Sequence, residues 1–426
     1  MKRIITTVLF IVFLMPSQAQ VIKTSDTLVI SRAEAETLFI DNNLSLLAEK
    51  LNIDQAEAQI IQSKLWPNPR LEVGEINLWK TKDPEQLPPI SGSWGKTSEI
   101  TLGLEQLIYT AGKRKKMIEM DQVGVEIAKE YYQDFLRSLK VEFRNSLTQL
   151  QFIQNKQKVY GNQLQSLQKL LKAYANQVNQ GNISKSEFVR LKASELSFIK
   201  ELSELQKENN KIQKELKTLM NLPPSHFLKI KDILEPNLSK MATMQLSDLN
   251  TMIENRPDVK VALLEEKYSN RKYKYELAQR TPDVTLLANY DRGGNIMNDF
   301  VGFGFAIDLP FFSRNQGNIK SAKIDVEKRK YLKEEKQNQA KNEIIQIYQD
   351  FIIARQLYGS IDNDYENSLN LLLESHQKNF TQRNTSMLEY LDFVEAYIES
   401  MTIILEAKKD INEHFEELQY AIGKEL

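Results

Sequence analysis

Two stretches of this chain couple a strand pattern to a helical pattern of unusual length. The first, residues 97–180, opens with an extended segment bearing one apolar face and ending at Tyr109. It passes Ala111-Gly-Lys-Arg114 and reads as helix up to Gly181. The second opens with Val301-Gly-Phe-Gly-Phe-Ala-Ile-Asp-Leu-Pro-Phe-Phe312, passes Ser313-Arg-Asn-Gln-Gly317 and reads as one helix to about Arg383. Gly112 and Gly181 are 69 positions apart, Gly317 and Arg383 66. At about 1.5 Å per residue each helix would reach roughly 100 Å, longer than an ordinary domain is wide. A compact enzyme core has no use for two such rods, each joined to a strand. A membrane strand that continues into the wall of a long tube does.

The totals narrow the choice. The 426 residues hold 56 basic and 57 acidic side chains, a balance that offers no electrostatic footprint for nucleic acid. Cysteine is absent, which removes disulfides, thiolate metal sites, a cysteine nucleophile and a lipid-anchored cysteine from the expectations. Lys2 and Arg3 precede an apolar run from Ile4 to Met15, followed by Pro16 and the small residues Ser17 and Ala19. This predicts a secretory signal over 1–19. No other apolar run is long enough for a membrane helix, so a spanning role falls to strands.

In chain order, an extended segment over 20–30 precedes a helix opened by Ser31, interrupted at Asn42-Asn43-Leu44 and stopped by Trp66-Pro67-Asn68-Pro69. A weakly alternating strand over 70–76 follows, then a loop over 77–95 flanked by Trp79 and Trp94. In the strand over 97–109, Ile100, Leu102 and Leu104 oppose Glu99, Thr101, Gly103 and Glu105. The long helix after it carries Leu164, Leu167, Leu171, Tyr174 and Val178 at the 3–4 spacing of a coiled-coil seam. Gly181-Asn182-Ile183-Ser184 turns the chain, and a return helix runs from Lys185 to Asn221. Residues 223–246 form a linker or small side element.

The plan then repeats. Asn255-Arg256-Pro257 precedes Pro282 as Asn42-Asn43-Leu44 precedes Pro69. Strands follow over 283–291 and 301–309. In the latter, Val301, Phe303, Phe305, Ile307 and Leu309 alternate with glycine, alanine and aspartate, as in a strand with lipid on one side and water on the other. Tyr348, Phe351, Tyr358, Ile361 and Tyr365 mark a seam on the second long helix. Arg383-Asn384-Thr385-Ser386 matches Gly181–Ser184, and Glu389 matches Glu187, at an offset of 202. The chain is one unit used twice, over 31–222 and 247–426. Four strands cannot close a spanning barrel, and open edges are prohibitive in lipid. Three copies would supply twelve strands, which makes a homotrimer the expected assembly.

These residues resemble the TolC-like outer-membrane efflux proteins. The motifs are Gly112-Lys113-Arg114, Leu219-Met-Asn-Leu-Pro223, Asn255-Arg-Pro-Asp-Val259 and Leu309-Pro-Phe-Phe-Ser-Arg-Asn-Gln-Gly317, the last similar to the heavy-metal and cation efflux branch. The resemblance implies a mostly α fold with a membrane β-barrel portion, twelve strands continuous with twelve helices, in the outer membrane of a Gram-negative bacterium and its periplasm. It implies docking to a periplasmic adaptor and an inner-membrane pump of the RND type, and passive export of metal cations or drugs. Glu389 and Asp392, with Glu187 as their repeat counterpart, correspond to acids ringing the periplasmic pore entrance. Gly181, Asn182, Ser184, Arg383, Asn384 and Ser386 correspond to the tips that contact the adaptor. Arg383 replaces the glycine found there in the family, which weighs against a tight left-handed turn.

Arg114 and Arg314 fall at the barrel–helix junction, where they line the duct, pair with a neighbouring chain or simply open solvated helices. His226, His376 and His414 are far apart and lack the spacing of metal ligands. No nucleophile–base set or phosphate loop is evident, so neither catalysis nor a cofactor is expected. Three other readings compete: a type I secretion duct, a soluble periplasmic coiled-coil scaffold, and the periplasmic adaptor itself. The scaffold leaves the four strands unexplained, and an adaptor needs more strand than this sequence holds.

Overall fold

The computed structural model describes residues 26–74, 100–181, 183–242, 249–293, 298–362 and 364–424. The expected signal, the loop over 77–95, the strand start at 97–99 and Asn182 lie outside them. The chain divides into two compact units, Met1–Asn42 with Gln149–Ile233, and Asn43–Thr148 with Leu234–Leu426.

The first unit contains strand β1 (Thr27–Ile30) and helix α1 (Arg32–Asn42). The second contributes α2 (Leu44–Lys64), β2 (Arg70–Gly74) and β3 (Thr101–Ile108). Helix α3 (Lys113–Asn179) runs 67 residues, starting in the second unit and ending in the first. The first unit continues with α4 (Lys185–Leu219) and β4 (Phe227–Ile230). The second resumes with α5 (Leu238–Ala242), α6 (Leu249–Asn255), α7 (Pro257–Ala278), β5 (Val284–Gly293) and β6 (Asn298–Ile307). It ends with α8 (Gln316–Gly359), α9 (Tyr365–Thr381) and α10 (Met387–Ile422).

In the first unit the predicted seam of α3 turns inward, with Leu167 and Leu171 buried along with Leu191 and Leu205 of α4. Tyr160 meets Phe198 edge-on at 6.0 Å. The expected linker over 223–246 holds more structure than its sequence suggests. β4 pairs in parallel with β1, Thr27 opposite Phe227. The buried amide of Gln213 extends the sheet as a strand would: it donates to the Leu228 carbonyl at 2.7 Å and accepts from the Leu228 amide at 2.9 Å.

In the second unit, the buried positions of α10 trace one seam. Met387, Tyr390, Val394, Tyr397, Met401, Ile404, Lys408, Ile411, Phe415, Leu418 and Ile422 step alternately by three and four residues. Ile411, Phe415 and Leu418 pack with Ile344 and Phe351 of α8 and Val259 of α7. Lys408 is the only charge in the seam, and it pairs with Glu235 at 2.5 Å and Glu366 at 2.9 Å.

The second long rod is not one helix. α8 stops at Gly359 and α9 starts at Tyr365, so the continuous helix expected to about Arg383 is interrupted. Gly359 is a poor helix former, and Ser360, Asp362 and Asp364 offer polar side chains to free backbone groups. The Tyr365 amide accordingly bonds the Asp362 carbonyl at 2.9 Å, outside the helical ladder. The Glu366 that meets Lys408 lies in the first turn of α9, just past this break.

At the start of α7, Pro257 takes the first helical position, where its missing amide costs nothing. Arg256 before it is 2% exposed. Its Nε and Nη2 donate to the two Asp258 carboxylate oxygens at 3.0 and 2.8 Å. Nη2 also donates to Glu343 at 2.6 Å, and Nη1 to the Ala421 carbonyl at 2.9 Å. Asp258 is flanked further by Arg137 at 3.3 Å and Lys336 at 3.0 Å. Gly423 closes α10 with φ 70°, and a Cβ there would lie 3.1 Å from the Arg256 Cα. The Asn-Arg-Pro-Asp motif is thus a buried joint between α7, α8 and the end of α10.

Candidate functional site

The strands form one antiparallel sheet in the order β2-β3-β5-β6. Its register separates two faces. Leu102 pairs with Tyr290, Leu104 with Ala288 and Gln106 with Leu286. Tyr290 pairs in turn with Val301, Ala288 with Phe303 and Leu286 with Phe305. Leu71 and Val73 extend the same row on β2. Directly paired residues share a face, so this face is apolar across all four strands. Its one amide, Gln106, donates to the Pro67 and Leu107 carbonyls. The opposite face carries Glu72, Thr101, Gly103, Glu105, Thr285, Asn289, Asp291, Gly302, Gly304 and Ala306, with Leu107, Leu287 and Phe300 among them. Arg70 lies 3.7 Å from both Glu72 and Glu105 there. The apolar face lies exposed, with Phe303 85% exposed. A contiguous apolar patch of this kind is not a water-facing surface. The outer edges of β2 and β6 have no partner strand among the described residues.

At the helix end of the sheet, Lys113 is buried against Asp283 at 2.8 Å. Asp283 also accepts the Thr110 amide at 2.9 Å, which ties β3, α3 and β5 together. Arg114 stacks over the Trp66 ring at 4.3 Å, a specific contact in place of a freely solvated charge. Arg314 is exposed and donates to the Pro310 carbonyl at 3.2 Å. Both helix entries pass through a left-handed residue, the first through Ala111 as well, at φ 51°. Gly112 has φ 67° and Asn315 φ 58°, each just before its long helix.

The two hairpin turns belong to separate units and share one construction. Gly181 has φ 75° and Arg383 φ 64°, 202 positions apart. The Gly181 amide bonds Val178 O, and the Arg383 amide bonds Phe380 O, both at 3.0 Å. Ser184 and Ser386 cap the return helices. The doubt attached to Arg383 is therefore answered: the left-handed turn is kept with arginine in it. Asn384 follows with its amide on the Asn379 carbonyl at 2.9 Å. Below this turn Phe380 stacks on Tyr390 at 4.6 Å and His376 on Phe393 at 4.0 Å, clamping α9 to α10. A β-carbon in this conformation costs about 1 kcal/mol or more. Replacing Arg383 by glycine is expected to stabilise the turn by a little under about 1 kcal/mol, since glycine also has more unfolded-state freedom to lose. Amide hydrogen exchange at 384–386 should slow by up to about fivefold. Faster exchange would mean that the arginine side chain itself holds the turn.

Glu389 serves first as a helix cap. Its carboxylate accepts from the Ser386 amide and hydroxyl, both at 2.9 Å, while its own amide donates to Ser386 Oγ at 3.3 Å. The Ser386 amide, then its hydroxyl, hold the carboxyl below its ordinary range, so it stays anionic near neutral pH. Asp392 is exposed one turn on, and Glu395, Glu399 and Glu406 continue the exposed acids of α10. Glu187 is half-buried in the first turn of α4. Sequence reasoning passed over the ring clamps and Lys408, although their 3–4 spacing is present in the sequence of α10. Among the described residues no cluster of histidine and carboxylates has the arrangement of a metal site, and no helix is long and apolar enough to cross a membrane.

A two-faced sheet joined to long helices that reverse at capped turns has the TolC-like fold. Residues 37–222 match the family model for outer membrane efflux proteins. The resemblance drawn from the sequence motifs is borne out. The chain is 22% identical to the cobalt-zinc-cadmium resistance protein CzcC of Cupriavidus metallidurans over 68% of its own length, and the match spans 65% of CzcC. Its fold is similar to crystal structures of CusC, with a TM-score of 0.73, 18% identity and 92% of each chain covered. It is similar also to the outer membrane protein VceC of Vibrio cholerae, with a TM-score of 0.69, 17% identity and 92% and 96% covered.

Proposed function

We propose that this chain is one protomer of a homotrimeric outer-membrane channel, the exit duct of an efflux system in a Gram-negative bacterium. The observation that carries the reading is the sheet: apolar and exposed on one face, mostly polar or small on the other, with neither edge paired among the described residues. Three such sheets joined edge to edge give twelve strands, satisfy every edge and turn the apolar faces toward lipid. Helix α2 supports the same assembly, because Leu44, Leu47, Leu51, Ile61 and Leu65 lie exposed at coiled-coil spacing and call for a second copy. β6 has ten residues, the length of a tilted membrane strand.

In this reading the helices extend into the periplasm. The capped turns at 181–184 and 383–386 close that end and meet the adaptor, which links the duct to an RND-type pump. The likeness to CzcC, a protein whose name states cobalt, zinc and cadmium resistance, favours divalent cations as cargo. Reconstitution in planar bilayers tests the duct: discrete openings are expected, and a soluble particle that never inserts would overturn it.

Glu389 and Asp392 are proposed to ring the entrance. Glutamine at 389 can still cap the helix, so the pair Glu389→Gln and Asp392→Asn removes charge without removing the cap. Block by divalent cations should weaken roughly tenfold, the effect of about 1.4 kcal/mol of lost attraction. Block of unchanged strength would remove both residues from the pore.

A further inference from the structure

The helix end of the sheet carries a second feature that the channel reading leaves unused. Between β6 and α8 lies an open cleft of about 550 Å³, lined by Phe311, Phe312, Arg280, Arg314, Lys320 and Lys323 among others. No carboxylate lines it. All four cations are exposed, and none forms an ion pair among the described residues. Four unneutralised cations around one cleft are unusual in a chain whose other helices lace acids and bases together, as Arg329 and Glu265 do at 2.6 Å. Phe312 is 96% exposed and Phe311 69%, an apolar cost that water does not repay.

The cleft lies where the apolar face of the sheet stops. Val301, Phe303, Phe305 and Ile307 form the β6 row of that face, Leu309 follows, and Phe311 and Phe312 come next in the chain. Aromatic side chains just past a lipid-facing row, followed at once by cations, are ordered as a bilayer boundary is: hydrocarbon, then interface, then headgroup charge. Lys320 and Lys323 lie on the face of α8 that also carries Gln316 and Ile319, so they present their charge to one locus.

We propose that this cleft binds the phosphate of an anionic phospholipid in the membrane leaflet nearer the helices, with Phe311 and Phe312 inserted among its acyl chains. The proposal rests on the channel reading and adds a lipid ligand to it. Charge complementarity and continuity with the apolar face favour lipid over a second copy of the chain, which would join through the strand edges.

The test uses the full chain in detergent micelles, with bound lipid counted by native mass spectrometry during titration with phosphatidylglycerol or phosphatidylcholine. Wild type should retain phosphatidylglycerol in preference. The triple variant Arg280→Gln, Lys320→Gln, Lys323→Gln should lose at least about tenfold of that preference, as removal of three surface cations implies. Phe312→Ser should weaken retention of both lipids. Phosphatidylglycerol binding unchanged in the triple variant overturns the proposal. So does displacement by equimolar inorganic phosphate, which would make this a free-anion site. A triple variant whose trimers fall apart equally with and without lipid would assign the cations to a second copy instead. Planar-bilayer recordings on the same preparations keep the two ideas apart: normal openings with no lipid preference sink the lipid site alone, whereas no insertion by any variant sinks the channel.

Discussion

Replacing Arg256 by alanine is expected to destabilise the second unit by about 3–5 kcal/mol, the range for removing one partner of a buried ion pair. The loss is large because Arg256 serves three acceptors at once, Asp258, Glu343 and the Ala421 carbonyl. Its removal leaves a side-chain cavity at the joint of α7, α8 and α10. Asp258 keeps Arg137 and Lys336, which holds the loss below that of a fully stranded carboxylate. Burial alone would raise the Asp258 carboxyl, but the hydrogen bonds and charge of Arg256 outweigh it and depress the carboxyl below its ordinary 3.8. A depressed carboxyl contributes stability that is present above its unfolded value and lost as pH falls toward the folded one. Wild type should therefore lose stability on acidification below about pH 4 more steeply than Arg256→Ala, whose Asp258 has lost its main partner. Thermal unfolding of the purified protein at several pH values reads both effects. Parallel acid curves with a shift under about 1 kcal/mol would mean that the joint is dispensable.

Lys408 is expected to give the opposite lesson depending on what replaces it. Its ammonium is buried in the α10 seam, while its partners Glu235 and Glu366 are 49% and 41% exposed at the side chain. Those carboxylates can turn to water when unpaired, so their loss of a partner costs little. Methionine completes the apolar seam at similar volume, and Lys408→Met should lie within about 1 kcal/mol of wild type or above it. Glutamate puts a third carboxylate in the same buried place. Lys408→Glu should cost about 3–5 kcal/mol and free the start of α9, seen as faster amide exchange over 365–369. Equal unfolding midpoints for the two variants would show that the seam at 408 is open to solvent. By pairing with Glu366, Lys408 ties α10 to the first turn of α9, just past the break.

Much of this architecture was legible in the sequence for local reasons. The strand over Asn298–Ile307 shows in the alternation of Phe303 and Phe305 with glycine, and α3 shows in its seam. The turns at Gly181 and Arg383 could be aligned by their offset alone. What escaped was non-local or depended on side chains meeting. Each strand of the β1–β4 pair is four residues long and carries no readable period, and its partner is 200 positions away. Glu389 read as a pore acid because its family position suggested that, but the Ser386-x-x-Glu389 spacing also carried its cap. The break after Gly359 was written in Gly359-Ser360 and the aspartates, and was overridden by apolar spacing that continued across it through Tyr358, Ile361 and Tyr365. The stacking of Arg114 on Trp66 was out of reach as well, because it joins residues 48 positions apart.

The matched turns have a consequence for which genetic changes this chain tolerates. Gly181 and Arg383, Ser184 and Ser386, and Asn221 and Gly423 occupy equivalent backbone states at one constant spacing, yet of these three pairs only the serines are the same residue. The count of residues between a turn and a helix end has been held fixed while their identities drifted. Deleting one residue midway between Ser386 and Gly423 would rotate everything beyond it by about 100°. Ile411, Phe415 and Leu418 would then face water, and Gly423 would leave Arg256. Frame-preserving deletions in the helices should therefore be far rarer among functional variants than substitutions at the same sites, and the surviving ones should come in multiples of seven residues, the shortest length that returns the seam to its face.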